Sequence, residues 1–122
     1  MAISTTVLDA RFGTKIVSDT DTDETATVDI TGATGSVYYV QIAAGGTSAT
    51  NYFKIYDVGG VLVGTTDPIF LIKVPASTTK ECIISGGMPF TTALSFATVT
   101  AGGTGGTTGP SGATVTALII AG

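Results

Sequence analysis

Three aspartates at alternate positions, Asp19, Asp21 and Asp23, have the D-x-D-x-D spacing that opens a calcium-binding loop. A helix-loop-helix calcium site also needs glycine at the sixth position and a bidentate glutamate at the twelfth. Those positions hold Glu24 and Ile30, so that motif fails. A looser calcium or magnesium site between subunits is the functional alternative. The plainer reading is a solvated acidic loop whose like charges keep an edge soluble. Asp57 and Asp67 flank the expected short hairpin and are residue types that could pair for glycoside cleavage. Both also stand where aspartate is favoured for turns, and that reading is preferred. Gly102, Gly103, Gly105 and Gly106 resemble a phosphate-cradling loop, but no Lys-Ser/Thr pair follows them. Cys82 is read as a small buried hydrophobe and not as a nucleophile. Lys54 and Asn51 are residue types that can form an isopeptide link, though spacing alone does not say whether they meet. Histidine and tryptophan are both absent. The first absence excludes Ser-His-Asp and Cys-His machinery and most zinc sites. The second weakens the stacking platform common in sugar-binding modules. The expectation is a chain that is not an enzyme and carries no cofactor.

The elements that would position these residues are strands. The heart of the chain is Asn51 to Thr100, where strand-sized apolar runs alternate with turn chemistry. Tyr52–Asp57, Val61–Val63, Ile69–Val74, Lys80–Ser85 and Phe90–Thr100 are expected strands, with Gly59-Gly60 as a hairpin turn and Gly86-Gly87 closing the fourth. Pro68 fits the start of a strand, where no ladder donor is needed. Before this heart, Lys15–Val17 is a short strand, Thr25–Ile30 alternates cleanly, and Val37–Ala44 carries bulky groups on both faces. Such a strand is central or lies at an interface. In it Tyr38, Val40 and Ile42 are expected on one face. Residues 101–112 (AGGTGGTTGPSG) read as a flexible loop or an exposed hairpin tip. Ala113–Ala121 closes the chain, with Val115, Ala117 and Ile119 on one face. Ala2–Phe12 changes phase part-way, as a first strand of the sheet or as an arm within residues 1–14 that reaches a neighbour.

Composition agrees with this pattern. In 122 residues there are 17 glycines, threonine is the commonest type, and charged residues make up only 11%. Threonine, valine and isoleucine suit pleated, half-buried surfaces. The expected fold is all-β: a single antiparallel β-sandwich domain over residues 1–122, of about eight strands, jelly-roll-like or immunoglobulin-like in strand order. A mean hydropathy of +0.49 suggests that a partner or sister subunits cover some apolar surface. The net charge of −4 and a pI near 4.3 leave no basic surface for nucleic acid. The lone cysteine forms no intrachain disulfide. The first residues lack the features of a signal peptide, and ALIIA is too short to span a bilayer, so the chain is expected in a cytoplasm-like compartment with no membrane partner.

From Thr50 to Gly122 the chain resembles small tailed-phage virion proteins of the head-decoration (cement) type. The likeness lies in an aromatic-lysine strand (YFKIYD), a D-P-hydrophobic-V-P-A strand (DPIFLIKVPA), a G-G-x-x-F-T-x-x-L-S-x-A strand (GGMPFTTALSFA) and a glycine/threonine loop before a final apolar strand. The N-terminal fifty residues lie outside it. The resemblance implies a β-sandwich that oligomerises, often as a homotrimer, on the outer capsid surface of a virion assembled in the host cytoplasm. There it would clamp neighbouring major capsid subunits against the pressure of packaged DNA. In that role Ile3, Val7, Leu8 and Phe12 are the candidates for the capsid-facing arm. Tyr38, Tyr52 and Tyr56 are the candidates for subunit contacts, since aromatics are enriched in interface cores. The alternative is a tail or head-fibre module that binds host-surface glycans through the tip around Gly102–Gly112.

Overall fold

The computed structural model describes residues 3–7 and 15–122. They form eight strands and no helix: β1 (Ile3–Val7), β2 (Lys15–Asp19), β3 (Gly35–Ala43), β4 (Asn51–Asp57), β5 (Phe70–Val74), β6 (Thr79–Phe90), β7 (Leu94–Val99) and β8 (Thr116–Ala121). These build a β-sandwich of two antiparallel sheets. One has five strands in the order β1-β2-β8-β3-β6, the other three in the order β5-β4-β7. From β5 onward the chain changes sheet at every connection, so the links between consecutive strands there are crossovers and not tight hairpins.

The inner faces follow from side-chain alternation. Val17, Val40, Ile42, Val115, Ala117, Ile119 and Ala121 from the larger sheet meet Phe53, Ile55, Val74, Leu94 and Phe96 from the smaller one. Phe53 and Phe96 sit at the centre of this layer with ring centroids 5.3 Å apart and a tilted geometry favourable for aromatic pairs. The inward face expected for the last strand, Val115, Ala117 and Ile119, is the one observed. β3 lies between β8 and β6, as its bulky two-sided sequence predicts.

Several local expectations are corrected. Thr25–Ile30 is not a strand: it makes a single isolated bridge, Thr27 to Phe96. Asp29 takes φ of +48°, which breaks the extended backbone that the alternation suggests. The segment nevertheless lies along the free edge of β7, since the Thr98, Thr27 and Ile30 amides donate to Asp23, Phe96 and Leu94 carbonyls. Val61–Val63 is not a strand either, and Gly59-Gly60 is not a hairpin turn. The Leu62 carbonyl accepts the Thr65 and Thr66 amides, and Thr66 Oγ1 accepts the Leu62 amide, which folds this stretch into a compact turn. Gly86-Gly87 do not end the sixth strand. β6 runs on to Phe90, and its pairing to β3 slips between Val37 and Tyr39. That slip puts Val37 inward with Val40, so Tyr38 does not share a face with Val40 and Ile42. Phe90 consequently ends β6 and does not begin β7.

Candidate functional site

The most distinctive surface is the outer face of the five-stranded sheet. Directly opposed residues of an antiparallel pair project to the same side. Thr6 pairs with Ile16, Ile16 with Ile120, Ile120 with Tyr39, and Tyr39 with Ile83. Four apolar or aromatic side chains thus form one row across β2, β8, β3 and β6, opposite the face that holds Val17, Ile119 and Val40. Five strands at about 4.8 Å spacing make the full row about 19 Å long. Leu118 lies in the adjoining row, between Ser18 and Gln41. Ile83 is 78% exposed, too much for a residue that serves its own subunit's core. At this end of the row Tyr39 Oη donates to Glu81 Oε2 at 2.7 Å, and that bond raises the tyrosine pKa above its ordinary value. The face therefore has an apolar centre and a polar margin of serine, threonine, glutamine and one glutamate.

At one end of the interior, between the sheets, lies a polar layer. Asp19 is buried in β2, not solvated in a loop as its neighbours suggested. Its Oδ1 accepts the Asp21 amide at 3.0 Å and its Oδ2 accepts Thr27 Oγ1 at 3.4 Å. Burial raises its pKa, against those two hydrogen bonds. Thr22 and Thr98 hydroxyls meet beside it at 2.9 Å. Among the described residues no group of three or more His, Cys, Asp or Glu side chains is placed to hold a metal ion.

The other chemistry-bearing residues have structural partners. Asp57 closes the turn between β6 and β7: its carboxylate accepts the amides of Thr91, Thr92 and Ala93 at 2.8, 2.7 and 3.1 Å. The hydrogen bond from Thr91, with the others, holds its pKa below the usual range. Asp67 accepts Thr104 Oγ1 at 2.5 Å, on a different loop. Residues 101–112 are not a free tip. They cross from one sheet to the other and are tied down by Thr100 to Thr108, by Thr104 to Asp67 and by Ser48 to Ser111. Gly102 lies against the Tyr52 ring, where an added Cβ would come within 3.1 Å of it. Cys82 is half-buried on edge strand β6, opposite Val40, and not fully buried. Lys54 and Asn51 point to opposite sides of β4, which separates them; Asn51 instead donates to Thr47 Oγ1 and the Ala49 carbonyl.

Of the candidate contact residues, Ile3 is 44% exposed in β1, which pairs antiparallel with β2. Val7 ends the same strand, while Leu8 and Phe12 lie outside the described residues. Tyr38 is half-buried, with its ring against Gly87. Tyr52 is half-covered and Tyr56 is wholly buried within the subunit, so Tyr56 offers no surface to a neighbour. Sequence reasoning missed Ile16, Ile83 and Ile120. The signal was present in the doubled apolar pairs of KECIIS and ALIIA, which put an apolar group on each side of a strand. Comparison of the chain with protein-family models, curated proteins and solved structures found no match.

Proposed function

We propose that this chain is a structural attachment protein that acts as a capsid decoration (cement) subunit on the outer surface of a tailed-phage head. It bridges neighbouring major capsid subunits there, associates with its own copies, and performs no catalysis. The observation that carries this reading is the outward-facing apolar row Ile16, Ile120, Tyr39 and Ile83, with Leu118 beside it; Ile83 is exposed and the others are half-buried. An apolar centre with a polar, hydrogen-bonded margin is the anatomy of a protein interface. The row by itself is smaller than the roughly 800 Å² per partner of a standard interface. Repetition on a symmetric lattice offsets this, because attachment at several points raises the effective concentration at each. The likeness of Thr50–Gly122 to head-decoration proteins supplies the biological setting.

The test is copy number per particle, measured by quantitative mass spectrometry against the major capsid protein. A simple lattice fraction, amounting to hundreds of copies, supports decoration. A handful of copies moves the protein to a tail or fibre, and absence from particles ends the virion reading. The face itself is tested with Ile83→Lys. Loss of one buried isoleucine removes about 2 kcal/mol, or roughly 30-fold in affinity for undecorated heads. Because Ile83 is exposed in the subunit, the variant keeps its melting temperature. Unchanged head binding would refute the role of this face.

A further inference from the structure

On the outer face of the smaller sheet the strip carried by β4 and β7 is buried at Lys54, Tyr56, Ser95 and Ala97, while Tyr52 and Leu71 are half-buried and Lys73 of β5 is exposed. Lys54 and Tyr56 project from β4 on the side away from the Phe53–Ile55 core, opposite Ala97 and Ser95 of β7. Lys54, Tyr56, Ser95, Ala97 and Val99 have no exposed surface at all. Alongside this face the 58–69 turn and the 101–112 segment lie against each other. Thr104 bonds Asp67, and a Cβ on Gly64 would come within 2.5 Å of Thr107 Cγ2. On this same side of β4, Lys54 Nζ and Tyr56 Oη are both buried, and neither has a hydrogen-bond partner among the described residues.

Two buried donors without acceptors are an unusual combination. Native proteins pair nearly all buried polar atoms, and an uncompensated buried ammonium is strongly destabilising. The carboxylates nearest in sequence are engaged elsewhere, Asp57 with the 91–93 amides and Asp67 with Thr104. Ser95 does not serve them either, since its hydroxyl donates to the Val58 carbonyl and accepts the Asp29 amide.

We propose that Lys54 Nζ and Tyr56 Oη form a binding site for a compact oxyanion, a carboxylate, phosphate or sulfate, that enters when the glycine-rich 101–112 segment lifts. Both groups act as donors, the ammonium obligatorily, so the site selects an acceptor-rich ligand over a cation. They stand two residues apart on one face of a strand, about 7 Å along it. One oxyanion between them accepts from both at about 2.8 Å in charge-assisted bonds. Gly102 lies close on the Tyr52 ring, where an added Cβ at 3.1 Å would make the ring or the segment give by a few tenths of an ångström. This site is independent of the attachment role and of the outward-facing row.

The test is thermal melting of the full chain in low-salt buffer, titrated with phosphate, sulfate or acetate. Wild type, Lys54→Met and Tyr56→Phe are compared. A ligand that binds only the folded state raises the wild-type melting temperature by about 5 °C per tenfold of anion above its Kd. Tyr56→Phe should show a weaker midpoint. Lys54→Met should respond only as it does to any salt, and should melt higher than wild type without anion. Equal responses of wild type and Lys54→Met, or no saturable response, overturn the site. If Lys54→Met does not fold, calorimetric titration of the wild type with phosphate decides: saturable heat supports the site, and its absence overturns it.

Discussion

Gly86 and Gly87 allow a controlled measurement of the bulge that shapes the outer face. Both have positive φ, +80° and +83°. An alanine at either position takes on left-handed strain of about 1–2 kcal/mol. Part of that is offset by about 0.4–1 kcal/mol from the stiffer unfolded chain. At Gly86 nothing lies within 4 Å of a new Cβ, so Gly86→Ala should lose only about 0.5–1.5 kcal/mol. At Gly87 the same methyl would stand 2.8 Å from Ser36 Cβ and 2.8 Å from Tyr38 Cε1. Optimal carbon contacts are about 3.5–4.0 Å, and Ser36 Cβ is fixed to the backbone, so the Tyr38 ring and the strand must shift. Overpacking of this kind adds about 1–3 kcal/mol, which brings Gly87→Ala to a loss of about 2–4 kcal/mol. Urea unfolding reads the difference. With a slope of about 2 kcal/mol per molar, the Gly87→Ala midpoint should fall about 1 M below that of Gly86→Ala. Coincident midpoints would refute the packing of Tyr38 on Gly87, and with it the register slip that separates Tyr38 from the inward residues.

Two hydrogen-bonded carboxylates, half-exposed Asp57 and buried Asp19, give opposite pH behaviour. Asp57→Ala removes the acceptor of three amides and should lower stability by about 1–2 kcal/mol at pH 7 in urea titrations. The folded-state pKa of Asp57 is lowered, so its contribution is present above the unfolded value of about 3.9 and lost as pH falls through the folded one. The gap between wild type and variant should therefore close below about pH 4, and a gap constant from pH 7 to 3 would contradict the turn geometry. Asp19 behaves in the opposite sense. Its pKa is raised by burial, so its stabilising contribution is complete below about 3.9 and is lost as pH rises through the folded value. Asp19→Asn keeps an oxygen for the Asp21 amide and should gain about 1 kcal/mol at pH 7, with the gain shrinking toward pH 4 in melting experiments. A loss at pH 7 that persists at pH 4 would mean the charge itself is needed.

Strand identity was largely legible because side-chain alternation is a local property of the backbone. ATVTALIIA places Val115, Ala117 and Ile119 on one side whatever surrounds it, and that side proved to be the core. The all-β class follows from the same local signal, reinforced by threonine, β-branched residues and glycine, although that signal also marked Thr25–Ile30 and Val61–Val63, which are not strands. Tertiary structure decided what covers each face and which strands are neighbours, because those depend on contacts between residues far apart in sequence. TATVDI alternates like a strand, yet one residue, Asp29, turns left-handed where Ser95 of β7 accepts its amide. AGGTGGTTGPSG reads as a flexible tip, yet it is a crossover tied to Asp67 and Ser48. Lys54 is polar in sequence and buried in the fold, on the side of β4 where Gly102 of that crossover lies against Tyr52. Ile83, by contrast, is apolar in sequence and exposed in the fold. The three-stranded sheet covers only the inner face of its five-stranded partner, and among the described residues no second sheet packs on the outer face, where Ile16, Ile120 and Tyr39 stay half-buried and Ile83 exposed.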